Sequence, residues 1–291
     1  MSNEKNLVLV TGATGNVGCQ VVSQLLGMGA RVRALTRNPD YAAMPCDVDV
    51  VRGDLLDPNT LDGRLDGVEA VFFVWRLLTD DAAPFLNAVA KRARRIVFLS
   101  SAAVRDDVEQ QTNPIGKAHA DIEGLIEKSG LEWTFLRPGG FATNSLWWWS
   151  PQIRMSDVVR WPYGAAAWAP IHERDIAAVA VRALTEKRHG GAKYLLTEGQ
   201  SLTQADQVQT IGAAIGRALR FEEISPETAR QQMLALMSAS AVDMMLDSWA
   251  RMTTEPAMIT DTVAEIAGAP ARTFRQWAID HAADFQEGRA Q

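Results

Sequence analysis

The sequence predicts an α/β chain organised on a doubly wound parallel sheet, and two observations carry that expectation. The first is Leu7 to Gly29, LVLVTGATGNVGCQVVSQLLGMG, where an apolar run, a glycine-rich turn and an amphipathic helical pattern follow one another. The second is the alternation of apolar runs with helical patterns through the next hundred residues, which suits right-handed βαβ units. Ligands of such sheets bind beyond the carboxyl ends of the strands.

Leu7 to Val10 reads as a buried strand. Glycines 12, 15 and 18 shape the turn, and Val17, Val21, Val22, Leu25 and Leu26 recur at helical spacing after it. Gly12 allows the tight turn, Gly15 the approach of a diphosphate, and Gly18 close packing of helix on strand. Thr14, Asn16 and Val17 complete the turn, where free helix N–H groups face an anion. The spacing is GxxGxxG, not GxGxxG, but the strand before it and the helix after it supply the required context.

Arg31 to Leu35 is the second strand, ending in Thr36-Arg37-Asn38-Pro39. No carboxylate stands there to bond a ribose 2′-hydroxyl. Thr36 and Arg37 suit a 2′-phosphate instead, so NADP(H) is expected over NAD(H). Arg33 is a second cation whose direction the alternation leaves open, and a solvated surface arginine is the competing account of Arg37.

Asp47 to Arg52 is a third strand closed by Gly53-Asp54-Leu55, with Asp54 and Leu55 at the adenine. Asp57-Pro58 caps and starts a short helix through Leu61. Glu69 to Trp75 is a fourth strand, apolar enough to be covered on both faces. Asp80 to Arg94 reads as a helix and Arg95 to Ser100 as a fifth strand. Gly12, Arg37, Asp54, Val74, Trp75 and Ser101 therefore share one rim. Asn113 to Ser129 is helical, and Leu131 to Leu136 is a sixth strand leading into Arg137-Pro138-Gly139-Gly140-Phe141.

Beyond this the composition changes. Ser145 to Ser150 holds three consecutive tryptophans in a segment that looks irregular. Ile171 to Leu184, Gln204 to Gly216 and Ala271 to Phe285 read as helices, the last with Phe274, Trp277, Ile279 and Phe285 partly buried. Asp175 reads as structural. Tyr194 to Thr197 and Phe221 to Ile224 are short strands. Pro226 to Met252 is one long amphipathic stretch rich in methionine. No linker separates a second domain: the expectation is a single chain, 1–291, with 1–145 mainly binding cofactor and 146–291 mainly a substrate-binding region and lid.

Size and charge bound the function. The chain has 291 residues and a net charge of −6, with a pI of about 5.3, so it lacks the basic footprint of a nucleic-acid partner. Cys19 and Cys46 have no metal-type spacing and imply no disulfide framework; Cys19 reads as a small core residue. No metal site is expected: His172, His189 and His281 lack ligand-like spacing, and Asp80-Asp81 and Asp106-Asp107 look like solvated helix starts or loops. The opening MSNEKN is polar and no apolar run spans a bilayer, so a cytoplasmic protein without membrane contact is expected.

TGATGNVG, TRNP, GDLLDP, SSAAV and LRPGGFATN, with the C-terminal GAPARTFRQWAIDHAADF, together resemble the NmrA-like branch of atypical short-chain dehydrogenase/reductases over nearly the whole chain. The resemblance implies a Rossmann-type fold with a small C-terminal substrate-binding region, and NADPH as cofactor. On that pattern Val74, Trp75, Ser100, Pro138, Gly139 and Phe141 join the cofactor contacts.

The chain departs from the wider superfamily at Tyr-xxx-Lys. Aligning Glu123 with the glutamate that commonly follows the lysine puts His119 at the lysine and Ile115 at the tyrosine. An alternative register uses Lys117, with Asn113 at the tyrosine. The tyrosine is missing either way. His119 in this place looks like some quinone and triphenylmethane dye reductases of the branch.

Hydride transfer needs no protein acid, but protonation needs a donor: Ser101, His119, a water they hold or a ribose hydroxyl. Lacking a dedicated acid favours activated substrates such as quinones or conjugated ketones. Ser101 is equally well read as a strand-end cap, and His119 as a ribose contact or a structural histidine. Ala102, Trp147, Trp148, Met233 and Met237 are the expected substrate contacts, the tryptophans as a platform for a flat molecule and the methionines as an adaptable lid; core packing competes in each case.

The expected activity is NADPH-dependent reduction of a bulky, largely apolar ketone or quinone, an aromatic polyketide ketone being one case. The alternatives are a non-catalytic NADP(H) sensor that contacts a regulatory protein, and another nicotinamide-dependent reaction such as reduction of an activated C=C or C=N bond.

Overall fold

The computed structural model describes residues 7–75 and 81–286. The MSNEKN start and Asp80 lie outside them. Along the chain run β1 (Leu7–Thr11), α1 (Asn16–Gly27), β2 (Arg31–Thr36), β3 (Asp49–Arg52), β4 (Val68–Phe73), α2 (Ala83–Ala90), β5 (Arg95–Leu99), α3 (Pro114–Glu127) and β6 (Glu132–Pro138). Then come α4 (Asn144–Met155), β7 (Val158–Trp161), β8 (Ala167–Trp168), α5 (Glu173–Thr185), β9 (Ala192–Leu196), β10 (Leu202–Thr203) and α6 (Gln204–Ala214). The chain finishes with β11 (Arg220–Glu223), α7 (Pro226–Met233), α8 (Ala239–Met252), α9 (Thr262–Ala267) and α10 (Phe274–Asp280).

The described residues form two compact units: those within 1–139, 173–196 and 262–269 make the first, and those within 140–172, 197–261 and 270–291 the second. The first is an α/β Rossmann-like unit. Seven strands in the order β3-β2-β1-β4-β5-β6-β9 make one sheet, and every neighbouring pair is parallel. Helix α1 packs on α5, and α2 packs on α3. The apolar strand interiors explain this double cover: Val8, Val10, Phe72, Phe73, Val97 and Phe98 are all buried. The order reverses direction between β1 and β4, the switch point where such sheets bind ligands.

The second unit is built around an aromatic and aliphatic core of Trp149, Trp168, Trp249, Phe274, Trp277 and Phe285 with Ile153, Val208, Ile211 and Val242. Two corrections fall here. The expected irregular segment at the tryptophans is the twelve-residue helix α4, whose buried face is Ser145, Trp149 and Ile153 at i, i+4 and i+8. Pro151 lies inside it and disguises that periodicity. The expected single stretch from Pro226 to Met252 is two helices, α7 and α8. Ser225 Oγ caps the first and Ser238 Oγ the second, each accepting from a backbone N–H three residues on.

The C-terminal helix is shorter than expected. Thr273 and Gln276 form a capping box that starts α10 at Phe274, and a separate turn of 3₁₀ helix, Ala282–Phe285, follows. Ile279 is exposed, unlike Phe274, Trp277 and Phe285, which are fully buried. Among the described residues no helix is long and apolar enough to cross a membrane.

Candidate cofactor and active site

The turn from β1 to α1 is set by its glycines. Gly12 takes φ +61°, the left-handed region that favours glycine. A Cβ on Gly18 would lie 2.1 Å from the Gly12 carbonyl oxygen, so only glycine lets the helix start against the turn. Gly15 donates to the Gly12 oxygen at 2.9 Å, and the backbone bond from Cys19 back to Gly15 begins the helix. No side chain caps α1 and its first turn carries no acid. The amides of Asn16, Val17 and Gly18 thus open the helix without a capping partner, a geometry that suits an anion. Thr14, Gly15 and Asn16 are exposed around this mouth, whereas the Val17 side chain is buried, leaving its amide as the contact.

Thr11 seals the switch point. Its hydroxyl oxygen accepts from the Val74 N–H at 2.8 Å and donates to the Phe72 carbonyl at 3.3 Å. Val74 packs on the turn, since a Cβ on Gly12 would meet its Cβ at 3.2 Å. Trp75, an expected cofactor contact, turns its ring into the core beside Phe73 at 5.9 Å and is 4% exposed.

At the end of β2, Thr36 Oγ1 accepts from the Asn38 N–H at 3.3 Å. Arg37 is exposed, and no ion pair among the described residues holds it. Arg33 is committed elsewhere. Alternation carries it to Asp49 at 2.7 Å, where it also donates to the Arg64 and Asp66 carbonyls. It is therefore no part of a phosphate site. Asp54 accepts from the Leu56 N–H at 3.1 Å, and its own N–H donates to Thr60. Asp54 and Leu55 are both half-buried on the rim. Cys19 is half-exposed rather than core.

Ser101 and His119 sit on two elements locked together. After β5 the Ala102 N–H donates to the Pro138 carbonyl at 3.0 Å, tying the loop to the end of β6. Ser101 Oγ accepts from the Ala103 N–H at 3.1 Å, which leaves its hydroxyl proton free to donate. A Cβ on Gly116 would lie 2.3 Å from the Ala103 carbonyl, so glycine there brings α3 against this loop. Nothing in the sequence pattern marks Gly116; its role is visible only from the contact.

The side chains of α3 separate the two registers for the missing tyrosine. Asn113 Oδ1 accepts from the Ile115 and Gly116 amides and so caps the helix. Lys117 points to solvent and pairs with Asp121 at 2.6 Å. His119 lies on the inner side, its ring stacked on Phe98 at 5.9 Å. His119 Nδ1 lies 2.8 Å from the Ile115 carbonyl oxygen. A carbonyl only accepts, so this nitrogen carries the proton, and in the neutral ring Nε2 is an acceptor.

Beneath these residues lies a charged network absent from the sequence expectations. Ser100 Oγ donates to Glu123 at 2.5 Å. Arg137 donates to both Glu123 oxygens, at 3.0 and 2.6 Å, and to both Asp106 oxygens, at 2.5 and 3.0 Å. Lys193 reaches Asp106 at 3.1 Å. The bonds from Arg137 bring the Asp106 carboxyl down to about 2, with Lys193 adding to the effect. Burial would lower the Arg137 value, but Glu123 and Asp106 outweigh it and raise it. Asp106 is thus a solvated loop acid, 58% exposed, that is also an ion-pair partner.

Pro138 is buried and Gly139 half-buried, with the Gly139 N–H held by the Leu196 carbonyl at 2.9 Å. Ala102 is half-buried. In the second unit Phe141 bridges to Ile171. Trp147 is 52% exposed. Trp148 packs edge-on to Trp168 and Trp249, at 5.8 and 5.4 Å. Met233, expected at the substrate, is a buried core residue at 5% exposure because α7 turns that face inward. Met237 packs partly buried against the same core. Among the described residues no group of three His, Cys, Asp or Glu could hold a metal ion.

A parallel sheet with an uncapped, glycine-cradled helix at its switch point is the scaffold of a dinucleotide-binding protein. A family model described as NAD(P)H-binding matches residues 12–187. A (4-alkanoyl-5-oxo-2,5-dihydrofuran-3-yl)methyl phosphate reductase of Streptomyces griseus is 38% identical over 283 residues, which cover 96% of this chain and 99% of its own. NAD(P)H azoreductase of Xenophilus azovorans is 34% identical over 287 residues, with 96% and 99% covered. The structure of an NADPH-dependent quinone oxidoreductase from Escherichia coli shares the fold, with a TM-score of 0.74 at 21% identity over 93% of this chain and 98% of its own. The chain belongs to the NmrA-like, NAD(P)H-binding family of atypical short-chain dehydrogenase/reductases. It is an NAD(P)H-dependent oxidoreductase.

Proposed function

We propose that the protein is an NADPH-dependent reductase of a bulky, largely apolar, conjugated acceptor, a quinone or a carbonyl conjugated with further unsaturation. One observation carries the choice of acceptor. No tyrosine stands on α3, and His119 Nδ1 is tied to the Ile115 carbonyl, so neither supplies a ready acid. An isolated ketone would need a proton as its oxygen becomes an alkoxide. A conjugated acceptor spreads that charge and takes its proton from water.

The glycine turn and the amides of Asn16, Val17 and Gly18 receive the diphosphate. Thr36 and Arg37 take the 2′-phosphate, and Asp54 and Leu55 flank the adenine. Bound nicotinamide would supply the hydride. His119 Nε2 accepts from a ribose hydroxyl, which orients the cofactor without moving a proton. Ser101 donates its free hydroxyl proton in a hydrogen bond to the oxygen on which negative charge develops.

The relatives support the conjugated acceptor. The Streptomyces griseus enzyme acts on a dihydrofuran bearing oxo, alkanoyl and methyl phosphate groups, a conjugated acceptor that also carries a phosphate ester, and the Xenophilus azovorans enzyme is an azoreductase. Aromatic polyketide ketones belong to the same electronic class. The test compares NADPH oxidation with quinones, acylated enones and matched isolated ketones. Turnover confined to the conjugated compounds supports the proposal, and equal turnover of isolated ketones overturns it. In the same assay Ser101→Ala should lower kcat roughly 10²-fold and leave NADPH affinity unchanged.

A further inference from the structure

The geometry points to Arg52 as a second cation for the 2′-phosphate, closing on it from β3 opposite Arg37. This rests on the NADPH reading above and adds to it a residue that the turn sequence does not identify. In the β2–β3 ladder Arg52 stands directly beside Thr36, and the Gly53 N–H donates to the Thr36 carbonyl at 3.0 Å. Neighbouring strands lie about 4.8 Å apart, and consecutive Cα atoms about 3.8 Å. Arg52 and Arg37 are therefore each one step from Thr36, the first across the sheet and the second along the chain.

Direction and availability agree. Thr36 and Arg52, paired in a parallel ladder, project from the same face of the sheet, whereas Arg33 and Asp49 pair on the other. The Arg52 side chain is 65% exposed, and its one ion pair among the described residues is a loose contact to Asp40 at 3.9 Å, itself 86% exposed. An exposed pair of this length contributes little, so the guanidinium can leave it for a better acceptor. A phosphate monoester carries about −1.5 to −2 charges at neutral pH and three acceptor oxygens. Two guanidinium groups match that charge where one does not.

The test is calorimetric titration with 2′,5′-ADP and with 5′-AMP, which differ by the 2′-phosphate alone, on the wild type, Arg52→Ala and Arg37→Ala. Arg52→Ala should weaken 2′,5′-ADP about tenfold and leave 5′-AMP unchanged, and binding of 2′,5′-ADP should depend less steeply on salt. If Arg37→Ala discriminates between the two ligands and Arg52→Ala does not, the assignment of Arg52 is overturned while the phosphate site stands. If neither variant discriminates, the 2′-phosphate site itself is wrong and Arg52 falls with it. Arg52 is largely exposed, so its replacement tests binding more than folding.

Discussion

His119 Nδ1 is bound to the carbonyl oxygen of Ile115, one helical turn earlier, at 2.8 Å. The bond turns a histidine at the superfamily's lysine position into an acceptor. His119→Ala should therefore raise the Kd for NADPH about tenfold and leave the shape of the kcat–pH profile unchanged. Loss of a limb of that profile would instead make His119 the proton donor.

Arg37→Ala should weaken NADPH by roughly 10-fold to 100-fold, as expected for charge-assisted bonds, and NADH hardly at all. Fluorescence titration with the two cofactors measures this directly. Equal losses for both would remove the 2′-phosphate from this strand end.

Gly18→Ala places a Cβ against the Gly12 carbonyl, where 2.1 Å is available. Helix α1 must then move off the turn. We expect about 1–3 kcal/mol less stability by urea unfolding, with cofactor affinity lost to a greater degree than stability. Gly27→Ala is the control, since a Cβ there meets nothing within 4 Å.

Arg137 and Glu123 have side chains 8% and 4% exposed and pair at 2.6 Å. Arg137→Met leaves Glu123 buried and unpaired and should cost about 3–5 kcal/mol. Arg137→Met with Glu123→Leu should recover much of that loss, because the cost lies in the orphaned charge. No recovery in the double variant would mean that the pair contributes more than it loses on burial.

Asp106 should contribute to the acid limb of stability. Its folded value, about 2, lies below its ordinary value of 3.8, so the unfolded chain takes up the proton first as pH falls. The contribution is present above about pH 4 and is lost toward pH 2. Asp106→Asn should flatten the urea-midpoint profile across that window and leave it parallel to wild type near neutrality. An unchanged slope would show that other carboxylates govern acid unfolding.

Much of the first unit was legible because its signals are local. The apolar strands, the glycines at 12, 15 and 18 and the Asp57-Pro58 start are set by neighbours in sequence, and Asp57 does cap its turn through the Asn59 N–H. What escaped depends on partners far along the chain. Gly116 is required by Ala103, Arg33 is drawn to Asp49, and Asp106 is claimed by Arg137 from 31 residues away. In the second unit the WWW run hid a helix, because Pro151 interrupts the apparent pattern while Ser145, Trp149 and Ile153 keep the period. The break between α7 and α8 was written in Ser225 and Ser238, two caps that a hydrophobic count passes over.

The central claim is hydride transfer from NADPH to a conjugated acceptor with the proton drawn from solvent. The direct measurement is turnover of a quinone or acylated enone with NADPH deuterated at C4 in ordinary water, and with ordinary NADPH in D₂O. For the enone, the account predicts one deuterium on carbon from the cofactor in the first case and one from solvent in the second. Tight binding of NADPH with no oxidation, or oxidation that leaves no cofactor deuterium in the enone product, would contradict it.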